Sequence, residues 1–68
     1  MSNAEYTESL FTVARHFQQV RDNASDPATA QAAHRKYVTC VVDYSKTTGT
    51  SLGDVARAVT TANDNAAK

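Results

Sequence analysis

Few side chains in this sequence could bind a soft metal ion or act as a nucleophile, and the main candidates are His16, His34 and Cys40. If they share a helix, His34 and Cys40 lie almost two turns apart, roughly 9 Å along the axis. The three residues also lack the close C-x-x-C or H-x-x-x-H spacing that is typical of zinc sites. The sequence therefore predicts no metal site, and we expect Cys40 to pack as a small apolar residue.

Nucleophilic catalysis needs a thiol or hydroxyl beside a base that a third group orients. His34 and Cys40 are six positions apart and fall on different faces of a helix. An oxyanion loop would have to be built from Gly49 and Gly53, the two glycines of the chain. We therefore expect a protein that is not an enzyme, with no catalytic residue and no cofactor.

Basic residues gather where the first two predicted helices meet. The group could contact an anion or an acidic partner, and it comprises Arg15, Arg21, His34, Arg35 and Lys36. The whole chain has seven basic and seven acidic residues, so its formal net charge is zero. A neutral chain lacks the positive field with which most nucleic-acid-binding proteins hold phosphate. A protein partner is favoured over nucleic acid, and a solvated surface is the simpler interpretation of the basic group.

The periodicity of the apolar residues predicts three helices that position these groups. The first covers about residues 4–22, with an apolar stripe at spacings of four and three that Phe11 and Ala14 widen: Tyr6, Leu10, Val13, Phe17 and Val20. The second covers about residues 27–47, between an Asp26-Pro27 start and a stop at Gly49. The third covers about residues 52–62 after a cap at Ser51, and residues 63–68 are expected to fray.

The short link between the first two helices implies that they are antiparallel neighbours. The predicted fold class is all-α, a single domain made of an antiparallel helical hairpin plus a short third helix. The run Ser2-Asn3-Ala4 resembles the remnant of a cleaved affinity tag, so residues 1–4 are not expected to contribute to function.

The second helix carries more apolar surface than one opposing helix can cover, and a 68-residue domain buries only a limited core. A monomer in which the third helix covers this surface is one possibility. We favour a homodimeric helical bundle formed through this surface, and the alternative is that the same surface binds a different protein. The expected interface residues are Tyr6, Leu10, Phe11, Tyr37, Val38, Val41, Val42 and Tyr44.

Residues 51–59, with the sequence SLGDVARAV, resemble the first helix of a helix-turn-helix. The resemblance implies a turn and then a base-reading helix within residues 51–68. Thr60 stands where a turn glycine is usual, and the only apolar residues after it are alanines. An amphipathic helix that covers the hairpin is the competing interpretation, and we favour it.

The leading functional hypothesis is a non-enzymatic interaction protein that binds another protein and regulates or inhibits it. Small helical proteins of this length include many accessory regulators encoded by phages and mobile elements. The alternatives are a nucleic-acid-binding transcriptional regulator that uses residues 51–68, and a structural subunit whose function is self-assembly. The single cysteine, with no signal peptide and no membrane-spanning stretch, leads us to expect a cytoplasmic protein with no membrane partner.

Overall fold

The computed structural model describes residues 3–67, which form three α-helices: α1 (Asn3–Asn23), α2 (Pro27–Thr48) and α3 (Leu52–Ala66). These helices confirm the predicted all-α class, and α1 packs closely against α2. No helix in the described part of the chain combines the length and the apolar character needed to cross a bilayer.

The start of α2 is set by a cap that the sequence predicts. The Asp26 carboxylate accepts a hydrogen bond of 2.9 Å from the backbone N–H of Thr29. Pro27 occupies the first turn, where backbone N–H groups have no acceptor within the helix. The lack of an N–H in proline therefore costs no hydrogen bond at this position. The hydrogen bond stabilises the ionised carboxylate and holds the pKa of Asp26 below its usual value of 3.8.

The turn between α2 and α3 follows the predicted stop and start. Gly49 adopts a left-handed conformation with φ 71°, and its N–H donates to the Ser45 carbonyl at 2.8 Å. The Ser45 hydroxyl donates to the carbonyl of Thr50 and so ties the turn to the last part of α2. The Ser51 hydroxyl then accepts from the N–H of Asp54 at 3.3 Å, which caps the first turn of α3.

Contacts between α1 and α2 show that the two helices run antiparallel. The rings of Phe11 and Tyr44 meet near the start of α1 and the end of α2. Arg21 and His34 meet near the end of α1 and the start of α2. Early residues of α1 therefore contact late residues of α2, and late residues of α1 contact early residues of α2. This is the antiparallel arrangement that the short link between the helices predicts.

The core lies where the three helices meet. Its buried residues are Ala14, Tyr37, Val41, Val55 and Val59, and the residues packed against it are Phe11, Phe17, Cys40 and Tyr44. Both valines of α3 are almost completely buried, with exposed fractions of 2% for Val55 and 0% for Val59. Burying a side chain of this kind contributes roughly 1.5–3 kcal/mol, so α3 is part of the core rather than an appendage.

The inward face of α1 is rotated by one residue from the predicted stripe. The residues one position after each member of that stripe have the same spacing and are buried or half-buried: Thr7, Phe11, Ala14, Gln18 and Arg21. One residue corresponds to about 100° around the helix axis. As a result, Tyr6 and Val13 of the predicted stripe remain 46% and 39% exposed.

The third helix is longer than the sequence predicts. It continues to Ala66, four residues beyond the end predicted at about residue 62. The reason is tertiary, because Asn63 forms hydrogen bonds with α1 that hold this part of the chain in place. Residues 1, 2 and 68, on which the tag and tail predictions also fell, lie outside the described residues.

Candidate functional site

A surface groove of about 500 Å³ lies at the end of the hairpin where α1 begins and α2 ends. Its lining residues are Ala4, Thr7, Glu8 and Phe11 from α1, and Tyr44 and Thr47 from α2. The ring centroids of Phe11 and Tyr44 are 5.6 Å apart with a tilt of 50°. Both rings are half-buried and pack against the core, so they form an apolar floor with an exposed carboxylate beside it.

Helical spacing explains why this groove exists. The four lining residues of α1 occupy positions i, i+3, i+4 and i+7 and therefore lie on one face. Thr7 is small, so it leaves open the space next to the ring of Phe11. Tyr44 and Thr47 are three positions apart on α2 and complete the opposite wall.

Tyr37 and Val41, two residues of the predicted interface, are buried in the core of the chain itself, with exposed fractions of 7% and 5%. Val55 and Val59 of α3 belong to the same buried cluster. The prediction that these two side chains add to an exposed apolar surface is therefore wrong, because α3 covers them.

The other six residues of the predicted interface remain at least partly accessible. Phe11 and Tyr44 line the groove described above. Leu10 and Val42 are half-buried, while Tyr6 and Val38 are 46% and 41% exposed. Of the predicted interface, the structure thus brings one aromatic pair together at an accessible site.

Arg21 is the centre of a small cluster at the other end of the hairpin. Its Nη1 donates to Nδ1 of His34 at 3.1 Å, because a guanidinium has donors only. Its guanidinium carbon lies 5.1 Å from the ring centroid of Tyr37. Its Nε also pairs with the carboxylate of Asp22 at 3.1 Å. The contacts with His34 and Tyr37 connect α1 to the first half of α2.

The predicted basic group does not form one patch. Lys36 lies two positions from His34, about 200° around the helix, and its Nζ is 5.4 Å from the ring centroid of Phe17. Arg15 turns towards α3, and Arg35 is exposed. The five residues are therefore divided among different surfaces of the molecule.

A polar cluster between α1 and α3 was not predicted from the sequence. Gln18 is only 4% exposed; its Nε2 donates to the Thr60 hydroxyl at 2.8 Å, and its Oε1 accepts from Asn63 Nδ2 at 2.7 Å. Asn63 Oδ1 accepts from Arg15 Nε and Gln19 Nε2 at 2.9 and 3.0 Å. Both ends of the buried Gln18 amide are thus satisfied, as burial of a polar group requires.

The sequence did contain one signal for this cluster. Gln18 follows Ala14 by four positions and Phe11 by seven, which places all three on one helix face. A glutamine at such a position is nevertheless predicted to be exposed to solvent, because its side chain is polar. No comparable signal marks Asn63 as its partner.

The helix-turn-helix implied by the resemblance is not formed. Thr60, the expected turn position, lies inside α3, which continues without interruption to Ala66. In residues 3–67 no helix follows α3. The competing interpretation, a helix that covers the hairpin, agrees with the burial of Val55 and Val59.

Cys40 is half-buried and packs against the core. Burial raises the pKa of its thiol, and the nearby carboxylate of Asp43 raises it further. A thiol with a raised pKa has less of the reactive thiolate at neutral pH. Within the described residues, no three histidine, cysteine or acidic side chains form a group that could hold a metal ion.

Comparison with known proteins adds no relative from which a function could be transferred. No protein-family model matches this chain, and no curated protein or solved structure shows significant similarity to it. The function must therefore be argued from the surfaces of the chain itself.

Proposed function

We propose that this chain is a non-enzymatic interaction module that binds another protein through the groove at the open end of the hairpin, and thereby regulates or inhibits it. One observation carries the proposal: Phe11 and Tyr44 form an apolar floor in a groove that remains open to solvent. Aromatic residues at accessible, partly buried positions are enriched at the centres of protein interfaces.

The groove also indicates the chemistry of its partner. A volume of about 500 Å³ accommodates large apolar side chains presented by one turn of a helix. Glu8 places a negative charge among otherwise uncharged lining residues, so a lysine or arginine next to the apolar side chain completes the match. The proposed ligand is a helical segment of a protein with an apolar residue beside a basic one.

The proposal includes a cytoplasmic setting, which the single unpaired cysteine supports. It also includes a phage or mobile-element origin, supported only by the frequency of small helical regulators encoded there.

Selection of helical peptides from a displayed random library against the immobilised full chain tests the proposal. We expect the selected peptides to share an apolar residue next to a lysine or arginine. In ¹H–¹⁵N spectra of the labelled chain, these peptides should shift the backbone amides of Thr7, Glu8, Phe11, Tyr44 and Thr47. Shifts that lie elsewhere, with these amides unchanged, would overturn the proposed site.

A matched pair of substitutions tests whether the groove itself binds. Thr47→Arg introduces a long side chain into the groove beside Glu8, and we expect peptide affinity to fall about tenfold or more. Thr61→Arg makes the same change at an exposed position of α3 and should leave peptide affinity unchanged. Equal affinities for the two variants would contradict the proposal.

A further inference from the structure

Within residues 3–67, no helix packs over one side of the hairpin. The stripe of Tyr6, Leu10, Val13, Phe17 and Val20 runs the length of α1, and its members are half-buried or exposed. The contacts of α3 with α1 use Arg15 and Gln18 instead. Val13 and Arg15, two positions apart, point about 200° away from each other, so Val13 faces away from α3, while Phe17 of the same stripe also packs against the core.

The neighbouring surface of α2 belongs to the same side of the molecule. The Lys36 ammonium lies over the ring of Phe17, which joins α2 to the stripe at this point. Asp43 lies seven positions after Lys36, two helical turns away on the same face, and its charge acts on the adjacent Cys40. The uncovered face of α2 therefore has a positive group and a negative group two turns apart.

We propose that a second copy of this chain packs on this face, with each helix of the hairpin antiparallel to its counterpart. A two-fold axis across the helices near Cys40 places Lys36 of each copy opposite Asp43 of the other. One symmetric contact therefore creates two ion pairs. A parallel arrangement would place Lys36 against Lys36 and Asp43 against Asp43, which like-charge repulsion disfavours.

The same axis gives a consistent match along α1. Because α1 and α2 are antiparallel, the level of Cys40 on α2 corresponds to residues near Arg15 on α1. Val13 then lies opposite Phe17 of the second copy, and Leu10 lies opposite Val20. The four-and-three spacing of these residues is that of helices packed side by side over several turns. Each contact pairs a larger apolar side chain with a smaller one.

The proposed interface retains Tyr6 and Leu10 of the predicted one but replaces its α2 residues with the face that carries Lys36 and Asp43. The sequence predicts an interface centred on Tyr37 to Tyr44 of α2, but Tyr37 and Val41 are buried by α3. A four-helix arrangement of two hairpins, with α3 of each copy on the outer side, uses the apolar residues that the single chain leaves accessible. It concerns self-association and does not depend on the groove partner.

Charge exchange tests the arrangement directly. In sedimentation equilibrium of the full chain we expect a concentration-dependent dimer. Lys36→Glu and Asp43→Lys should each raise its dissociation constant roughly tenfold or more, because each places like charges together twice. The double variant Lys36→Glu/Asp43→Lys should restore the wild-type value. Arg57→Glu makes the same charge change on an 81% exposed side chain of α3 and should have no effect.

Two valines of similar exposure provide a second test. Val13→Asp places a charge in the apolar stripe and should abolish the dimer, while Val38→Asp, at a position 41% exposed outside this face, should leave it intact. Circular dichroism checks that both variants remain helical. A monomer at every concentration, loss of the dimer only in Val38→Asp, or failure of the double charge exchange to restore association would overturn the inference. A monomer that still binds the selected peptides would leave the proposed function standing.

Discussion

Asn63 Nδ2 donates a hydrogen bond of 2.7 Å to Oε1 of Gln18 and so connects the last helix to the first at a nearly buried amide. The same nitrogen also donates to the backbone carbonyl of Arg15 at 3.2 Å. Two valines of α3 pack into the core, but apolar packing alone permits rotation and sliding of a short helix. The directional hydrogen bonds define where α3 lies on the hairpin.

We expect Asn63→Ala to destabilise the fold by about 1–3 kcal/mol, because it leaves the buried Gln18 Oε1 without its donor. Asn65→Ala, at an exposed position of the same helix, is the control and should change stability by no more than about 0.5 kcal/mol. Urea unfolding followed by helical circular dichroism measures both values. Equal effects of the two substitutions would show that the polar cluster does not stabilise the packing of α3.

The two glycines should respond to alanine in opposite directions. Gly49 has φ 71°, where a Cβ costs roughly 1–2 kcal/mol, so Gly49→Ala should be destabilising. Gly53 is the second residue of α3, and because alanine is favoured over glycine by at most about 0.5–1 kcal/mol, the helix-interior value, Gly53→Ala should be stabilising. An added Cβ meets no atom within 4 Å at either position, so steric clash does not account for the difference. Thermal unfolding midpoints that move in the same direction would contradict this prediction.

Acid should weaken the start of α2 through Asp26. Its pKa in the folded chain lies below the usual value of 3.8, because the ionised carboxylate accepts hydrogen bonds from Thr29. The resulting stabilisation is complete above the pKa of the unfolded state and is lost as the pH falls through the lower pKa of the folded state. Asparagine caps helices as well as aspartate does but does not titrate.

The loss of unfolding free energy between pH 6 and pH 2.5 should therefore be smaller in Asp26→Asn than in the wild type. Urea unfolding at the two pH values measures this difference, and the other carboxylates contribute to both proteins alike. An identical pH dependence in the two proteins would show that the cap does not couple stability to protonation.

The helix boundaries that could be predicted are those set by neighbouring residues. Asp26 caps α2 through Thr29, Gly49 ends it through Ser45, and Ser51 caps α3. Each of these hydrogen bonds joins residues only a few positions apart, so the residue types and their spacing are sufficient to predict it. The end of α3 could not be predicted in this way, because it depends on contacts with α1.

The candidate groove was predicted only in part. Phe11 and Tyr44 were expected at an interface because large aromatic residues on helical stripes are recognisable in a sequence. Glu8, Thr7 and Thr47 were not expected there, since small or charged residues on an outer helix face look the same whether or not a groove lies beside them. Their role depends on the space that they leave next to two packed rings.

By itself, the sequence determined that three helices form, where α2 and α3 begin, and that α1 and α2 pack as an antiparallel hairpin. The tertiary structure decided which face of α1 turns inwards, that Tyr37 and Val41 are covered by α3, and that Gln18 is buried with Asn63. The physical reason is that caps and turns depend on hydrogen bonds between near neighbours. The choice between two apolar faces one residue apart depends instead on how all three helices pack together.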